Sequence, residues 1–154
     1  MHDMSAPPLA ANDDDLAFYA SIGLFSDVPA DELRTIVALM KSECFEAGAV
    51  ILKEGDATND LLIVRSGKVE VFVNKGSEKV HITSLGAGSY FGEMSVFDDY
   101  PRSANVGAET TVTTLRIDRD AFRVFLRGNP TVLYQMCKVF SHRLRNTNTA
   151  LARH

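Results

Sequence analysis

The sequence has no apolar run long enough to cross a membrane, and its first residues lack the basic start and apolar stretch of a secretory signal. We therefore expect a cytoplasmic protein that does not associate with membranes. Only 2 cysteines occur in 154 residues. Cys44 and Cys137 lie far apart and outside any C-x-x-C pair, which excludes a recognisable zinc or redox motif and favours two reduced thiols in the core.

Basic residues are missing from the beginning of the chain. No Lys or Arg precedes Arg34, whereas seven acidic residues do. The rest of the chain has a small basic excess, although the formal net charge of the whole is −4. That excess is too small to predict a nucleic-acid surface. The acidic run at 13–15 favours a solvated helix start over a docking site, because acids stabilise the first turn of a helix.

Signs of catalysis and of metal binding are also missing. His81 is a lone histidine in a strand-like segment, and no cluster of His and Glu ligands surrounds it in sequence. A cupin-type metal site needs several such ligands together, so we expect no metal. Ser103 has no evident histidine partner that would activate it as a nucleophile. We therefore expect a protein that is not an enzyme.

The length favours one domain, with a flexible tail at 1–13 followed by a single folded unit at 14–154. Apolar spacing predicts helix over 14–41, interrupted at 25–29. From Arg119 onward the pattern is helical again, with a short helix stopped by Gly-Asn-Pro and a long helix that follows it. The apolar stripe predicted for the long helix comprises Leu133, Met136, Phe140, Leu144, Thr147 and Leu151.

The middle of the chain, from 43 to 118, predicts β-structure. Short runs rich in Val, Ile and Thr alternate with glycine turns. The clearest runs are 50–52, 61–64, 69–73, 80–83 and 112–117. Many short strands at even spacing suggest a sandwich or a barrel, of which an eight-stranded jelly roll is one solution.

The sequences FGEMSVF at 91–97 and PRSANV at 101–106 are the most informative part of the chain. Gly92 allows the backbone to approach a ligand closely, and N–H groups at the start of the next short helix are suited to a phosphate. The planar fork of Arg102 matches two phosphate oxygens. Glu93 is able to accept a hydrogen bond from a sugar hydroxyl. Together these residues predict a site for a small anion with a sugar attached.

These two segments resemble the phosphate-binding cassette of the cyclic nucleotide-binding domain family, which includes the catabolite activator protein and the regulatory subunits of protein kinase A. The segments 48–56 and 62–71 also match family blocks, and the resemblance extends from about residue 24 to residue 151. It implies a mainly β fold, with an eight-stranded roll between N-terminal helices and a C-terminal helical lid. It also implies cyclic AMP as the ligand, with cyclic GMP as the alternative.

The resemblance assigns roles to individual residues. It implies that Arg102 binds the exocyclic phosphate oxygens and that Glu93 binds the ribose 2′-hydroxyl. A serine at position 103 favours cyclic AMP, because family members that prefer cyclic GMP often carry threonine there. The alternatives are a surface arginine, a helix-start acid and a turn serine. The remaining residues implied in the ligand site are Gly92, Met94, Val71, Ile82, Leu85, Arg143, Thr147 and Asn148.

Some of these positions also have ordinary structural explanations. Val71, Ile82, Leu85 and Met94 are typical core positions of a jelly roll. Without the resemblance, the polar residues of the long helix would form a solvent face. Asn148 departs from the serine that the family has at the equivalent position, so its contact with the base is the least secure.

The expected function is a non-enzymatic cyclic nucleotide sensor that signals allosterically through rearrangement of its C-terminal helix. Alternatives are the ligand-binding part of a catabolite-activator-type regulator that lacks its DNA-binding helices, or a regulatory domain of a channel or an enzyme. We expect no direct contact with DNA, since no helix-turn-helix follows the long helix. The expected partners are a cyclic nucleotide, an unidentified downstream protein and a second copy that pairs through the C-terminal helix.

Overall fold

Two four-stranded antiparallel sheets, flanked by helices, form the protein. The computed structural model describes the backbone of residues 13–152 and the side chains of residues 16–146 and 148. One sheet has the order β1-β8-β3-β6 and the other the order β2-β7-β4-β5. The strands are β1 (Lys41–Phe45), β2 (Val50–Leu52), β3 (Leu61–Ser66), β4 (Val69–Lys75), β5 (Glu78–Leu85), β6 (Tyr90–Phe91), β7 (Asn105–Ala108) and β8 (Val112–Ile117).

Helices precede the roll, follow it and interrupt it once. They are α1 (Asp13–Ser21), α2 (Ala30–Val37), α3 (Met94–Phe97), α4 (Arg119–Gly128) and α5 (Pro130–Ala152), with a short 3-10 helix at Gly23–Phe25. This order confirms the predicted eight-stranded roll with flanking helices. The predicted helical stretch 14–41 was too long, since α2 ends at Val37 and β1 begins at Lys41. The predicted tail at 1–13 lies outside the described residues except for Asp13, which begins α1.

The apolar run of β3 shows how the sequence builds two cores. Alternate strand residues point to opposite faces. Leu61 and Ile63 pack with the helices in one cluster, whereas Leu62 and Val64 pack between the two sheets in the other. All four residues are fully buried, so this strand is apolar without alternation. The sheet that contains β3 is therefore covered on both faces.

Helix α4 begins at a well-defined cap. The Asp118 side chain accepts hydrogen bonds from the backbone N–H groups of Asp120 and Ala121, which would otherwise lack partners at a helix start. Phe122, Phe125 and Leu126 form the buried face of this helix. The chain then turns at Asn129 into α5, whose first turns pack on the helical core through Val132 and Met136.

The predicted stripe of α5 divides between the core and an outer face. Met136 is fully buried against the core, whereas Leu133 and Leu144 are exposed and Phe140 is half-buried. Cys137 is exposed and lies on the outer face with Leu133 and Leu144.

The predicted core position of the two cysteines was wrong, because Cys44 is only half-buried and Cys137 is exposed. Both thiols are free.

Candidate functional site

A cavity of about 460 Å³ opens between β4, β5, the cassette and α5. This volume falls within the usual range for small-molecule sites, roughly 300–1,000 Å³. The cavity is bordered by most of the predicted ligand residues: Val71, Ile82, Leu85, Gly92, Glu93, Met94, Arg102, Ser103 and Arg143. The structure thus brings nine positions from four separate segments to one concave surface.

Gly92 joins β6 to the cassette in a conformation that favours glycine. Its φ is +81°, in the left-handed region. A Cβ added at this position would lie 2.6 Å from Nη1 of Arg102 and 3.0 Å from the carbonyl oxygen of Asp60. Glycine is therefore required at this position for two reasons: the backbone conformation favours it, and a Cβ would occupy the space of the Arg102 guanidinium.

Arg102 is buried, with 4% of its surface exposed. Its Nε donates to Thr58 Oγ1 at 3.1 Å, its Nη1 to the Gly92 carbonyl at 3.1 Å and its Nη2 to the Asp60 carbonyl at 2.8 Å. A guanidinium has five N–H groups, so one on each terminal nitrogen remains for another acceptor. Burial lowers the pKa of Arg102, while the charge of Asp60 opposes that shift.

Glu93 is the second buried charged group of the cavity. It directly follows Gly92 and precedes the single turn of α3, and only 7% of its surface is exposed. Its carboxylate pairs with Nη1 of Arg143 on α5. This contact links the cassette to the C-terminal helix across 50 residues of sequence. Any hydroxyl that binds Glu93 would share the carboxylate with Arg143.

Exposure separates the remaining cavity residues into two groups. Val71 and Leu85 are half-buried and pack against the core between the sheets. Ile82 and Met94 are 53% and 56% exposed, so the explanation as ordinary core positions fails for both. Ser103 is exposed at the cavity wall. The open apolar surface of Ile82 and Met94 is suited to cover the face of a flat ring.

The two remaining predicted residues, Thr147 and Asn148, both belong to α5. Asn148 is exposed and is not among the residues that border the cavity. The side chain of Thr147 lies outside the described residues. Among the described side chains of α5, Arg143 borders the cavity, and the contact of Thr147 with a base stays a prediction.

Sequence reasoning missed several cavity residues and two residues that hold Arg102. Thr83 lies beside Ile82 on β5, and Tyr90 lies at the base of the cavity, where burial raises the pKa of its hydroxyl. Thr58 and Asp60 contact Arg102 from the loop after β2. No short-range signal marks these contacts, because the pairs are 44 and 42 residues apart. The other missed cavity residues are Leu52, Phe91, Ser95, Ala104 and Val106.

Within the part of the chain that the structure describes, no group of three or more His, Cys, Asp or Glu residues is placed to hold a metal ion. The described helices include none that is both long and apolar enough to span a membrane.

Glu70, on β4, has a lowered pKa because of its hydrogen bonds with Lys79 and His81. Its two partners on β5 explain this shift, which therefore does not mark a second site.

Comparison with known proteins identifies the family of this chain. The model of the cyclic nucleotide-binding domain matches residues 42–129, which include the roll and the whole cassette. The chain belongs to the cyclic nucleotide-binding domain family. This confirms the resemblance inferred from the cassette.

Relatives of two kinds share this domain. A CRP-like cAMP-activated global transcriptional regulator of Mycobacterium tuberculosis is 32% identical over 135 residues, covering 86% of this chain and 60% of the relative. A cAMP-dependent protein kinase regulatory subunit of Emericella nidulans is 36% identical over 110 residues, covering 71% of this chain and 26% of the relative. The chain thus spans less than two thirds of either relative.

A solved structure supports the same fold. The catabolite activator protein of Thermus thermophilus superposes with a TM-score of 0.76 and is 29% identical. The match covers 83% of this chain and 61% of that structure. The eight-stranded roll with its flanking helices is therefore the fold of this family.

Proposed function

We propose that residues 14–154 form a single cyclic nucleotide-binding domain that acts as a cytoplasmic, non-enzymatic sensor of cyclic AMP. The observation that carries the proposal is Arg102. Its buried guanidinium borders the cavity and retains one N–H on each terminal nitrogen. A planar fork with two parallel N–H groups matches the two exocyclic oxygens of a cyclic phosphate. The names of two relatives refer to cyclic AMP, which supports that ligand.

The rest of the cavity supports the nucleoside part of the ligand. The ribose 2′-hydroxyl donates to Glu93 at the cassette. The apolar side chains of Val71, Leu85, Ile82 and Met94 surround the base, and Ser103 donates to a phosphate oxygen or contacts the edge of the base. Ser103 rather than threonine favours adenine over guanine, so cyclic GMP is the weaker ligand.

The output of the sensor is a change in the contacts of α5. In the described arrangement, Arg143 pairs with Glu93, and Phe140 lies edge-on to Phe97 of α3 with ring centroids 5.9 Å apart. A ligand that occupies Glu93 competes for the first contact and moves the turn that makes the second. A ligand shifts an equilibrium only when it has different affinities for the two states, and these contacts supply such a difference.

The partner that fits α5 is a second copy of this chain. Leu133, Cys137, Phe140 and Leu144 recur at steps of four, three and four along its outer face, which is the heptad spacing of a coiled-coil seam. With Met94 and Phe97 they border an apolar groove of about 550 Å³. Pairing two such helices would cover this surface and connect it directly to the cassette.

Isothermal titration calorimetry tests the proposed function. Cyclic AMP is expected to bind with a micromolar Kd or tighter, and more tightly than cyclic GMP. Arg102→Ala is expected to cost about 2–5 kcal/mol, the usual effect of removing one partner of a buried charged pair. Arg34→Ala is the control, because Arg34 is an exposed residue of α2 far from the cavity. Equal affinity for wild type and Arg102→Ala would exclude the proposed phosphate site.

A further inference from the structure

The arginine of the cavity is held by the loop at 53–60, between β2 and β3, which we call the cradle loop. Gly55 N–H donates to the Arg102 carbonyl and Arg102 N–H donates to the Asp56 carbonyl, each at 2.9 Å. Asn105 extends the attachment, since its Oδ1 accepts from the N–H of Glu54 at 2.8 Å. The main chain around Arg102 is thus fixed to a segment that does not border the cavity.

The cradle loop also fixes the orientation of the guanidinium. Nη2 of Arg102 donates to the main-chain carbonyl of Asp60, which any residue at position 60 would supply. Nε donates to the hydroxyl of Thr58, which only threonine or serine supplies in this geometry. Thr58 is exposed, so its replacement removes little packing. Its hydroxyl is nevertheless the one side-chain acceptor among the three groups that restrain rotation of the fork.

Asp60 is itself anchored away from the cavity. Its carboxylate accepts from Nη1 of Arg116 on β8 at 2.7 Å, and Nε of Arg116 pairs with Glu43 on β1. Burial alone lowers the pKa of Arg116, but its hydrogen bonds to Glu43 and Asp60 outweigh that effect and leave the pKa raised. These three side chains, the Glu43–Arg116–Asp60 chain, tie the end of the cradle loop to the sheet.

We propose that Thr58 is a positioning residue for Arg102, and that the Glu43–Arg116–Asp60 chain holds the cradle loop in the place where Thr58 and Asp60 meet the guanidinium. With Nε held by Thr58, the two remaining N–H groups face the cavity together as a pair. Without that acceptor the fork is held by the two main-chain carbonyls alone, turns more easily about its Cδ–Nε bond, and presents both N–H groups to an anion for a smaller fraction of the time. This inference rests on the proposed function, because its readout is the affinity for the cyclic phosphate.

Substitution of Thr58 tests the first half of the proposal. Thr58→Val keeps the shape and removes the acceptor, and we expect the Kd for cyclic AMP to rise about 5- to 20-fold. This is less than the roughly 10- to 150-fold that loss of a direct hydrogen bond to a charged group causes, because Thr58 acts through Arg102. Thr58→Ser restores the hydroxyl and is expected to stay within about twofold of wild type. Thr110→Val is the matched control, because Thr110 Oγ1 accepts the N–H of Lys68 at 3.0 Å on an exposed turn away from the cavity. Wild-type affinity in Thr58→Val, or failure of Thr58→Ser to restore it, overturns the proposal.

A spectroscopic measurement separates this inference from the proposed function. In ligand-free protein, the Nε–Hε resonance of Arg102 is expected to be protected from solvent exchange, and Thr58→Val is expected to abolish that protection. If wild type binds no cyclic nucleotide but the resonance behaves in this way, the proposed function fails and the positioning role stands. If wild type binds cyclic AMP but the resonance is unchanged in Thr58→Val, the positioning role fails alone.

Arg116→Met tests the second half of the proposal, since it removes the charge that links Glu43 to Asp60 and keeps an unbranched side chain. We expect a rise in Kd of about 3- to 10-fold with the same loss of Nε–Hε protection. Lys79→Met, which removes an ion pair with Glu70 on the other sheet, is expected to stay within about twofold of wild type. An unchanged Kd in Arg116→Met would remove the Glu43–Arg116–Asp60 chain from the proposal.

Discussion

Two charged side chains with opposite surroundings dominate the cavity. Arg102 is held by three acceptors of the protein before any ligand is present. Glu93, in contrast, is held by Arg143, whose side chain is about half exposed on a helix. We expect the arginine to keep its place when ligand binds and the partner of the carboxylate to change. The residue predictions below follow from this difference.

The ribose contact is tested by removing either of its partners. Glu93→Gln is expected to weaken cyclic AMP binding by about 0.5–1.5 kcal/mol, because the amide oxygen still accepts the hydroxyl but no longer carries a charge. 2′-Deoxy cyclic AMP is expected to lose about 1.5–3 kcal/mol against wild type, because the whole hydrogen bond to the carboxylate is absent. Titration of both ligands against both proteins completes a double-mutant cycle, and additive losses in that cycle would place the hydroxyl elsewhere.

Gly92→Ala adds a single methyl group, but it is expected to weaken both the folded state and ligand binding. The new methyl group would meet Nη1 of Arg102 at 2.6 Å, and the backbone at φ +81° is strained for any residue with a Cβ. Strain of this kind costs about 1–3 kcal/mol. We expect a lower melting temperature together with weaker binding.

Gly128→Ala is the control for this prediction. Gly128 ends α4, and an added Cβ there meets no atom within 4 Å. Thermal unfolding and calorimetry on the two variants are the measurements. If Gly92→Ala binds cyclic AMP with wild-type affinity, the guanidinium of Arg102 moves aside without loss of binding, and the prediction fails.

At the scale of elements, the structure divides into a roll fixed by long-range pairing and a helix with few fixed contacts beyond its first turns. The described side chains of 141–146 in α5 are all exposed. Within this part of the helix Arg143 pairs with Glu93, and Phe140, directly before it, lies edge-on to Phe97 of α3. Under the proposed function, we expect the ligand to act on α5 through Glu93 and through the single turn of α3 that follows it.

Hydrogen exchange with and without cyclic AMP tests this coupling. We expect protection in α4 and α5 to change more than protection in the strands, because α5 has the smaller number of competing contacts. Phe97→Ala is expected to reduce the change in α5 while Arg102 still binds the phosphate. A ligand effect confined to the strands would show that α5 is not the switch.

The sequence predicted the elements with strong periodicity and missed those without it. The runs at 61–64 and 112–117 were assigned as strands, and both are strands in the structure. β6 has only two residues, and β7 contains an asparagine and a glycine, so neither has a local signal. β1 begins with lysine and carries Glu43, whose place is set by Arg116 across 73 residues. The residues next to Glu43 in sequence do not indicate a pairing over such a distance.

The site was predicted unevenly for the same reason. Gly92, Glu93 and Arg102 fall in one short segment with a family signature, and all three border the cavity. Thr58 and Asp60 belong to a loop with no signature of its own. Met136 shares a stripe with Leu133 and Leu144 by spacing, and spacing alone does not show that Met136 is buried in the core while the two leucines are exposed.

For the whole molecule, the main open surface is the apolar face that α5 and α3 share. Met94, Phe97, Leu133 and Leu144 are all exposed in a single chain. Large apolar patches of this kind usually mark an interaction site. The face is also continuous with the cavity, since Met94 and Arg143 border both.

Leu144→Glu is expected to convert a dimer into a monomer while cyclic AMP still binds, because like charges would meet in the seam. Light scattering with and without ligand is the measurement. Val124→Glu is the control, since Val124 is 64% exposed on α4, outside the seam. A wild type that is monomeric in both conditions would leave the face to a different partner.

The different attachments of Arg102 and Arg143 have a consequence for the kinetics of the ligand. Arg102 at the phosphate end of the cavity already has its three protein partners, so binding of the phosphate needs no rearrangement there. The association rate of the nucleotide is therefore expected to be insensitive to changes in α5. The other end borders Arg143, which is half exposed on the helix that we propose to rearrange, so we expect dissociation of the nucleotide to depend on this helix. Variants of α5 should therefore alter the residence time of the nucleotide, whereas variants of the cradle loop should alter how often an encounter succeeds.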